Sequence, residues 1–149
     1  MSADHHEVFV RESEEQITEL NNALLRLESD PDDREAMDAI FRTAHTLKGN
    51  AGAMGFSGIS GLAHAIEDLL DEIRNGRIAV DPDVMDLIFA GVDEIAASLE
   101  QLDAEGSIEI EHDETIEAIR AVIADRSGEG DADVSGDATD AETGEGGTD

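Results

Sequence analysis

Between Met37 and Phe56 the chain reads MDAIFRTAHTLKGNAGAMGF, and four residues in this stretch have types and spacing that can do chemistry: His45, Lys48, Gly49 and Gly52. At about 100° per residue, Met37, Ile40, Phe41, Ala44, Leu47, Ala51 and Met54 make one apolar stripe of a helix that ends near Gly55. His45, Lys48, Gly49 and Gly52 fall together on a second stripe at its edge, partly open to water. A neutral imidazole is a nucleophile. A lysine one turn away supplies a compact point charge suited to a phosphoryl oxygen. Lys48 is the only lysine in the chain; every other basic side chain is arginine. Two glycines inside a helix cost about 1 kcal/mol each against alanine, and here they clear side chains from the face that carries the imidazole. Gly49 and Gly52 are therefore the expected docking surface for a large, flat partner. One histidine on a helix is ordinarily a solvated polar residue.

The elements that must position this face read as helices throughout. A first helix is expected from Asp4 to Glu28, burying Phe9, Ser13, Ile17, Leu20, Leu24 and Leu27, with His5 and His6 at a solvated start. Asp30 and Pro31 supply a cap and a first position for the helix that carries His45. A third helix is expected from Ser57 or Ser60 to Asn75, burying Ile59, Leu62, Ala63, Ile66, Leu69, Leu70 and Ile73, with Asn75-Gly76 closing it. Glu67 falls at the edge of that apolar stripe and His64 one turn earlier on the same flank, so both are read as solvated positions facing the His45 stripe across a groove. Phe41 and Phe56 read as core or groove wall. Asp81-Pro82 starts a fourth helix to Leu102, with Val84, Met85, Ile88, Val92, Ile95, Leu99 and Leu102 inward and Ala104-Glu105-Gly106 ending it. Asp113 caps a shorter fifth helix through Ala124, with Ile116, Ile119 and Ile123 inward. Ile108 and Ile110 alternate with acids over too few residues to make a sheet. The fold class is all-α: an up-down four-helix bundle with an appended fifth helix over residues 1–126. Residues 127–149 are acidic and Gly-rich, with Val134 as the one large apolar residue, and read as a disordered acidic C-terminal tail or linker.

Composition narrows the classes further. The 149 residues include 38 acidic and 9 basic side chains, a formal net charge of -29. Nucleic acid and anionic membrane would be repelled, so neither is an expected partner. Acidic excess with a single lysine points to a halophilic proteome; an acidic effector surface is the alternative, but the charge is spread along the whole chain. With no cysteine, disulfide and thiolate chemistry are excluded. No export signal precedes the first helix and no apolar run approaches a membrane span, so the expected location is cytoplasmic.

The stretch His45-Thr-Leu-Lys48-Gly49-Asn-Ala-Gly52-Ala-Met-Gly55-Phe56 resembles the phosphoacceptor motif of histidine phosphotransfer (HPt) domains, most closely the N-terminal domain of CheA-type chemotaxis histidine kinases. A second signature, Gly61-Leu-Ala-His64-Ala-Ile-Glu67-Asp-Leu-Leu-Asp71, places a histidine nineteen and a glutamate twenty-two residues beyond His45, as in the CheA pattern. The resemblance covers residues 4 to 124. It implies that His45 carries the phosphoryl group, that Lys48 contacts the phosphate, and that Gly49 and Gly52 keep the docking surface clear. On chemical grounds a carboxylate accepting the Nδ1 proton fixes the tautomer and raises the basicity of Nε2. Glu67 is the candidate for that role, with His64 extending the network by a bond to Glu67 or His45.

No glycine-rich nucleotide loop is present, since Gly49-Asn-Ala-Gly52 has the wrong spacing and context. ATP with Mg is therefore expected on a kinase catalytic domain, of the same or a paired polypeptide, and no cofactor on this chain. The expected receivers of the phosphoryl group are response-regulator domains, CheY-like or CheB-like, and this domain is expected to be a monomer. Two alternatives stand beside this reading. A standalone phosphorelay HPt protein would use the same residues. An acidic metal-binding helical bundle could use His64, Glu67 and a further carboxylate, but the paired Glu-x-x-His pattern is missing and Lys48 would repel a cation; no metal is expected.

Overall fold

The computed structural model describes residues 2–135, with side chains for 6–126. It contains α1 (Ser2–Ser29), α2 (Arg34–Met54), α3 (Ser57–Arg74), α4 (Pro82–Glu105) and α5 (Asp113–Ser135). Among the described residues there is no strand, so Ile108 and Ile110 belong to a loop, as expected.

Local chemistry sets where each helix starts and stops. The side chain of Asp33 accepts from the Ala36 amide at 3.0 Å, so α2 begins at Arg34. This corrects the Asp30-Pro31 start: Asp30 instead accepts from the Asp32 amide at 3.1 Å, an Asx-type turn that places Pro31 ahead of the helix. Three aspartates compete here, and Asp33 alone is also held by Arg26, at 3.0 Å. Its carboxyl is held below the usual range, first by the Ala36 amide bond. Asp81 caps α4 by accepting from the Val84 amide at 2.9 Å, with Pro82 following, as the sequence indicates. Gly55 and Gly106 end α2 and α4 at φ 85° and 79°, left-handed values that a side chain would resist.

The turns are short, so successive helices run antiparallel. α1 packs on α2 and α4, α3 packs on α2 and α4, and the diagonal pairs do not meet, which is the square of a four-helix bundle. α5 lies outside it against α3 and α4. Every position expected inward on α1 and α4 is buried, and Ile119 is the buried centre of the α5 face, with Ile116 and Ile123 packed beside it. Fully buried side chains such as Leu24, Ile40, Leu62 and Ile88 each contribute about 1.5–3 kcal/mol relative to exposure.

α5 starts at Asp113 itself and runs past the expected end at Ala124 into the segment read as linker. Among the residues whose side chains are described, Arg126 is the last to hold it, its guanidinium 2.7 Å from Asp81 at the start of α4. The tail beyond Ser135 lies outside the described residues. His6 departs from the solvated helix start expected for it: its ring packs on Phe56, which also meets Phe9, at centroid distances of 5.5 and 5.1 Å.

Candidate functional site

α2 and α3 share the most extensive helix contact in the molecule, and the site lies on its solvent edge. From α2, Nδ1 of His45 stands 2.6 Å from Oε2 of Glu67 on α3. Nζ of Lys48, one turn along α2, stands 2.7 Å from the other oxygen of the same carboxylate. The three residues separated by twenty-two positions in the chain are thus brought together around one carboxylate.

Their exposures are opposite. The His45 side chain is 63% exposed, whereas that of Glu67 is 9% exposed. This corrects the solvated position expected for Glu67: it sits at the edge of its stripe, yet His45 and Lys48 fold over it. Burial raises the Glu67 carboxyl, but hydrogen bonds from Lys48 and His45 overcome that penalty and leave it below its ordinary value. An ionised carboxylate only accepts, so the proton of a neutral His45 ring is on Nδ1. Nε2 then carries the lone pair and has no partner among the described residues.

His64 takes a different place from the one expected. Its Nε2 lies 3.4 Å from Asp68, one turn further along α3, and it bonds to neither Glu67 nor His45. Asp68 in turn is held by Arg120 of α5. The i,i+4 spacing of His64 and Asp68 was available from sequence alone; the bond to Arg120, fifty-two residues away, was not.

Gly49 and Gly52 are both exposed on the His45 stripe. A Cβ on Gly49 would meet nothing within 4 Å, whereas one on Gly52 would meet the Ser60 hydroxyl at 3.4 Å. Ser60 reaches across there to donate to the Lys48 carbonyl at 3.1 Å. The 3.4 Å to the Ser60 hydroxyl is an ordinary contact distance, so the α2–α3 packing itself does not call for glycine at this position. A shallow pocket of about 320 Å³ opens beside Lys48, lined by Gly52, Gly55, Ser57, Ser60 and His64. Phe41 is half-buried, with the Arg74 guanidinium 4.0 Å above its ring. Among the described residues no group of three or more histidine or carboxylate side chains is placed to hold a metal.

Residues 5–124 match the Hpt domain model over most of the chain. This chain belongs to the Hpt domain family. A curated relative, the chemotaxis protein CheA of the halophilic archaeon Halobacterium salinarum, is 58% identical over 127 residues, or 85% of this chain and 19% of its own length. The chain thus spans about a fifth of that protein. Among solved structures, the histidine phosphotransfer domain of CheA is 41% identical with a TM-score of 0.75, covering 82% of this chain and 93% of that one. The CheA phosphotransferase domain from Thermotoga maritima is 43% identical with a TM-score of 0.66, covering 68% of this chain and 97% of that one. The Hpt bundle and the resemblance to CheA-type domains expected from the two motifs are both found.

A second histidine–carboxylate pair lies in this Hpt domain, and the sequence did not signal it. Nδ1 of His112 stands 2.7 Å from Glu94 of α4, which also accepts from the Thr115 hydroxyl at 2.6 Å. Nε2 of His112 stands 3.0 Å from the Ser98 hydroxyl, and the ring is buried. The pair ties the loop before α5 to α4 and presses on α3 at Gly58.

Proposed function

We propose that this chain is the phosphoacceptor domain of a two-component chemotaxis kinase, with Nε2 of His45 as the acceptor atom. The observation that carries the reading is that Glu67 engages Nδ1 of His45 while Nε2 stays free on an exposed ring. In the first step the Nε2 lone pair attacks the γ-phosphorus of ATP, an N–P bond forms and the P–O bond to ADP breaks. The ring gains positive charge, which the Glu67 carboxylate at Nδ1 stabilises. In the second step a carboxylate oxygen of a receiver aspartate attacks the same phosphorus, the N–P bond breaks and its electron pair returns to Nε2. Lys48 is the phosphate contact: its ammonium is bound to Glu67 and, one helical turn from His45, can turn to a phosphoryl oxygen. Gly49 and Gly52 form the surface over which partners approach.

ATP and its Mg belong, in this reading, to a kinase catalytic domain of the same or a paired polypeptide. The receivers are response-regulator domains of the CheY-like or CheB-like kind. A cytoplasmic location fits a chain in which, among the described residues, no helix is long and apolar enough to cross a membrane. The test is a transfer assay with labelled ATP and the catalytic domain, comparing His45→Gln with the parent. Acid-labile label on the parent and none on the variant is the expected result; parental labelling of His45→Gln contradicts the assignment.

A further inference from the structure

The acidic residues of this chain are not spread evenly. With 38 among 149 residues, about one position in four is acidic, yet none occurs between Asp38 and Glu67. A stretch of 28 residues would hold about seven at the average density. It covers α2 from Ala39 onward, the turn and α3 as far as Ile66, the hairpin that carries the site. Its exposed positions include Arg42, His45, Thr46, Gly49, Gly52 and His64, whereas about half of the exposed positions elsewhere among the described residues are Asp or Glu. Glu67, which closes the stretch, is buried and paired with Lys48, so it adds little negative field.

Within this window one cation has no work inside the domain. Lys48, the other permanent cation of the window, holds the Glu67 carboxylate at 2.7 Å. Arg42 is exposed, has no side-chain partner among the described residues, and sits one turn before His45 on α2. Residues three apart on a helix have Cβ atoms about 5–6 Å apart, so its guanidinium reaches the rim of whatever covers His45.

We propose that this acid-free hairpin is the docking window for an acidic protein surface and that Arg42 engages that surface's carboxylates beside the reacting group. The rest of the domain, at a net charge of -29 overall, repels such a partner. Attraction at one window and repulsion elsewhere orient the encounter, so that the partner meets His45 rather than another face. Arg42 is a docking residue in this account, acting on association and not on the phosphorus. The proposal rests on the phosphotransfer reading and adds to it the charge class of the partner.

The test uses the 149-residue chain, labelled by the catalytic part of the Halobacterium salinarum CheA, with a receiver domain from the same organism as acceptor. Rates are measured for the parent, Arg42→Lys, Arg42→Gln and Arg42→Glu at about 0.15 M and about 1 M salt, where the screening length falls from about 8 Å to about 3 Å. Arg42→Glu should raise KM for the receiver about tenfold at low salt, with kcat at saturating receiver unchanged and the gap closing at high salt. Arg42→Gln should fall between, and Arg42→Lys should match the parent. Equal KM for all four proteins at both salts overturns the proposal, as does a loss confined to kcat. A parent that takes no label overturns the phosphotransfer reading and this one with it, which separates the two failures.

Discussion

Two histidines in this domain make nearly the same bond and end in opposite situations. His45 and His112 each place Nδ1 on a glutamate, at 2.6 and 2.7 Å. The His45 side chain is 63% exposed and its Nε2 has no partner among the described residues; that of His112 is 2% exposed and its Nε2 faces Ser98. In the first pair the carboxylate is buried and the ring open, and in the second the ring is buried and its glutamate half-exposed. On the proposed reading, the carboxylate–imidazole bond alone does not make an acceptor. What differs is the far nitrogen: water and glycines on one side, a hydroxyl and packed helices on the other.

The largest expected effect separates the two pairs outright. His45→Gln should abolish labelling without lowering the melting temperature much, since its ring is solvated. His112→Gln should label like the parent but melt several degrees lower, because it disturbs a buried polar cluster at a cost of about 1–3 kcal/mol. Phosphorylation and thermal unfolding of the same two variants check both halves, and a labelling defect in His112→Gln would erase the distinction.

The partner carboxylates should divide the same way. Glu67→Ala should slow phosphorylation of His45 about 10- to 100-fold, the range for groups that orient a reacting imidazole. Glu94→Ala should leave the rate alone and lower stability. Because Glu67 is buried and holds two partners, its truncation should also cost some stability, unlike a change at a solvated position.

Glycines sharpen the contrast at the level of a single methyl group. At Gly49 a Cβ meets open space, so Gly49→Ala should raise helix stability by up to about 1 kcal/mol. At Gly58 a Cβ would stand 2.9 Å from Cδ2 of His112, so Gly58→Ala should lower the melting temperature instead. Opposite signs are expected; equal shifts would mean that neither glycine is placed as described.

The smallest effect is a pH dependence belonging to the first pair. The Glu67 carboxyl lies below its ordinary value of 4.5, so its ion pairs stabilise the fold above that pH. This stabilisation is lost as pH falls through the lower folded-state value. Melting curves of the parent and Glu67→Gln should therefore differ at neutral pH and converge in acid below 4.5. A gap that persists unchanged at the acid end would show that ionisation of Glu67 is not what the pair uses.

The helices and the exposed face of His45 were legible in the sequence because both rest on spacing within one element. The stripe through Ile40, Ala44 and Leu47 sets which side of α2 faces water, and His45 follows from it. The Asp81-Pro82 start was legible because one aspartate was available, whereas Ser29 to Asp33 offered several and only the bonds to Ala36 and Arg26 chose among them. The burial of Glu67 was not legible, because it depends on side chains of α2 closing over it. Nor were the Asp68–Arg120 bond and the His112–Glu94 pair, whose members meet only after the chain from His112 onward docks on α3 and α4.

The most direct test of the central claim is which atom carries phosphorus. With ¹⁵N-labelled histidine, nitrogen–phosphorus NMR on the phosphorylated domain reads the bond itself. The expected result is a single phosphorus coupled to Nε2 of His45, with the Nδ1 proton retained toward Glu67. Phosphorus on Nδ1 of His45, or on His112, would contradict the account.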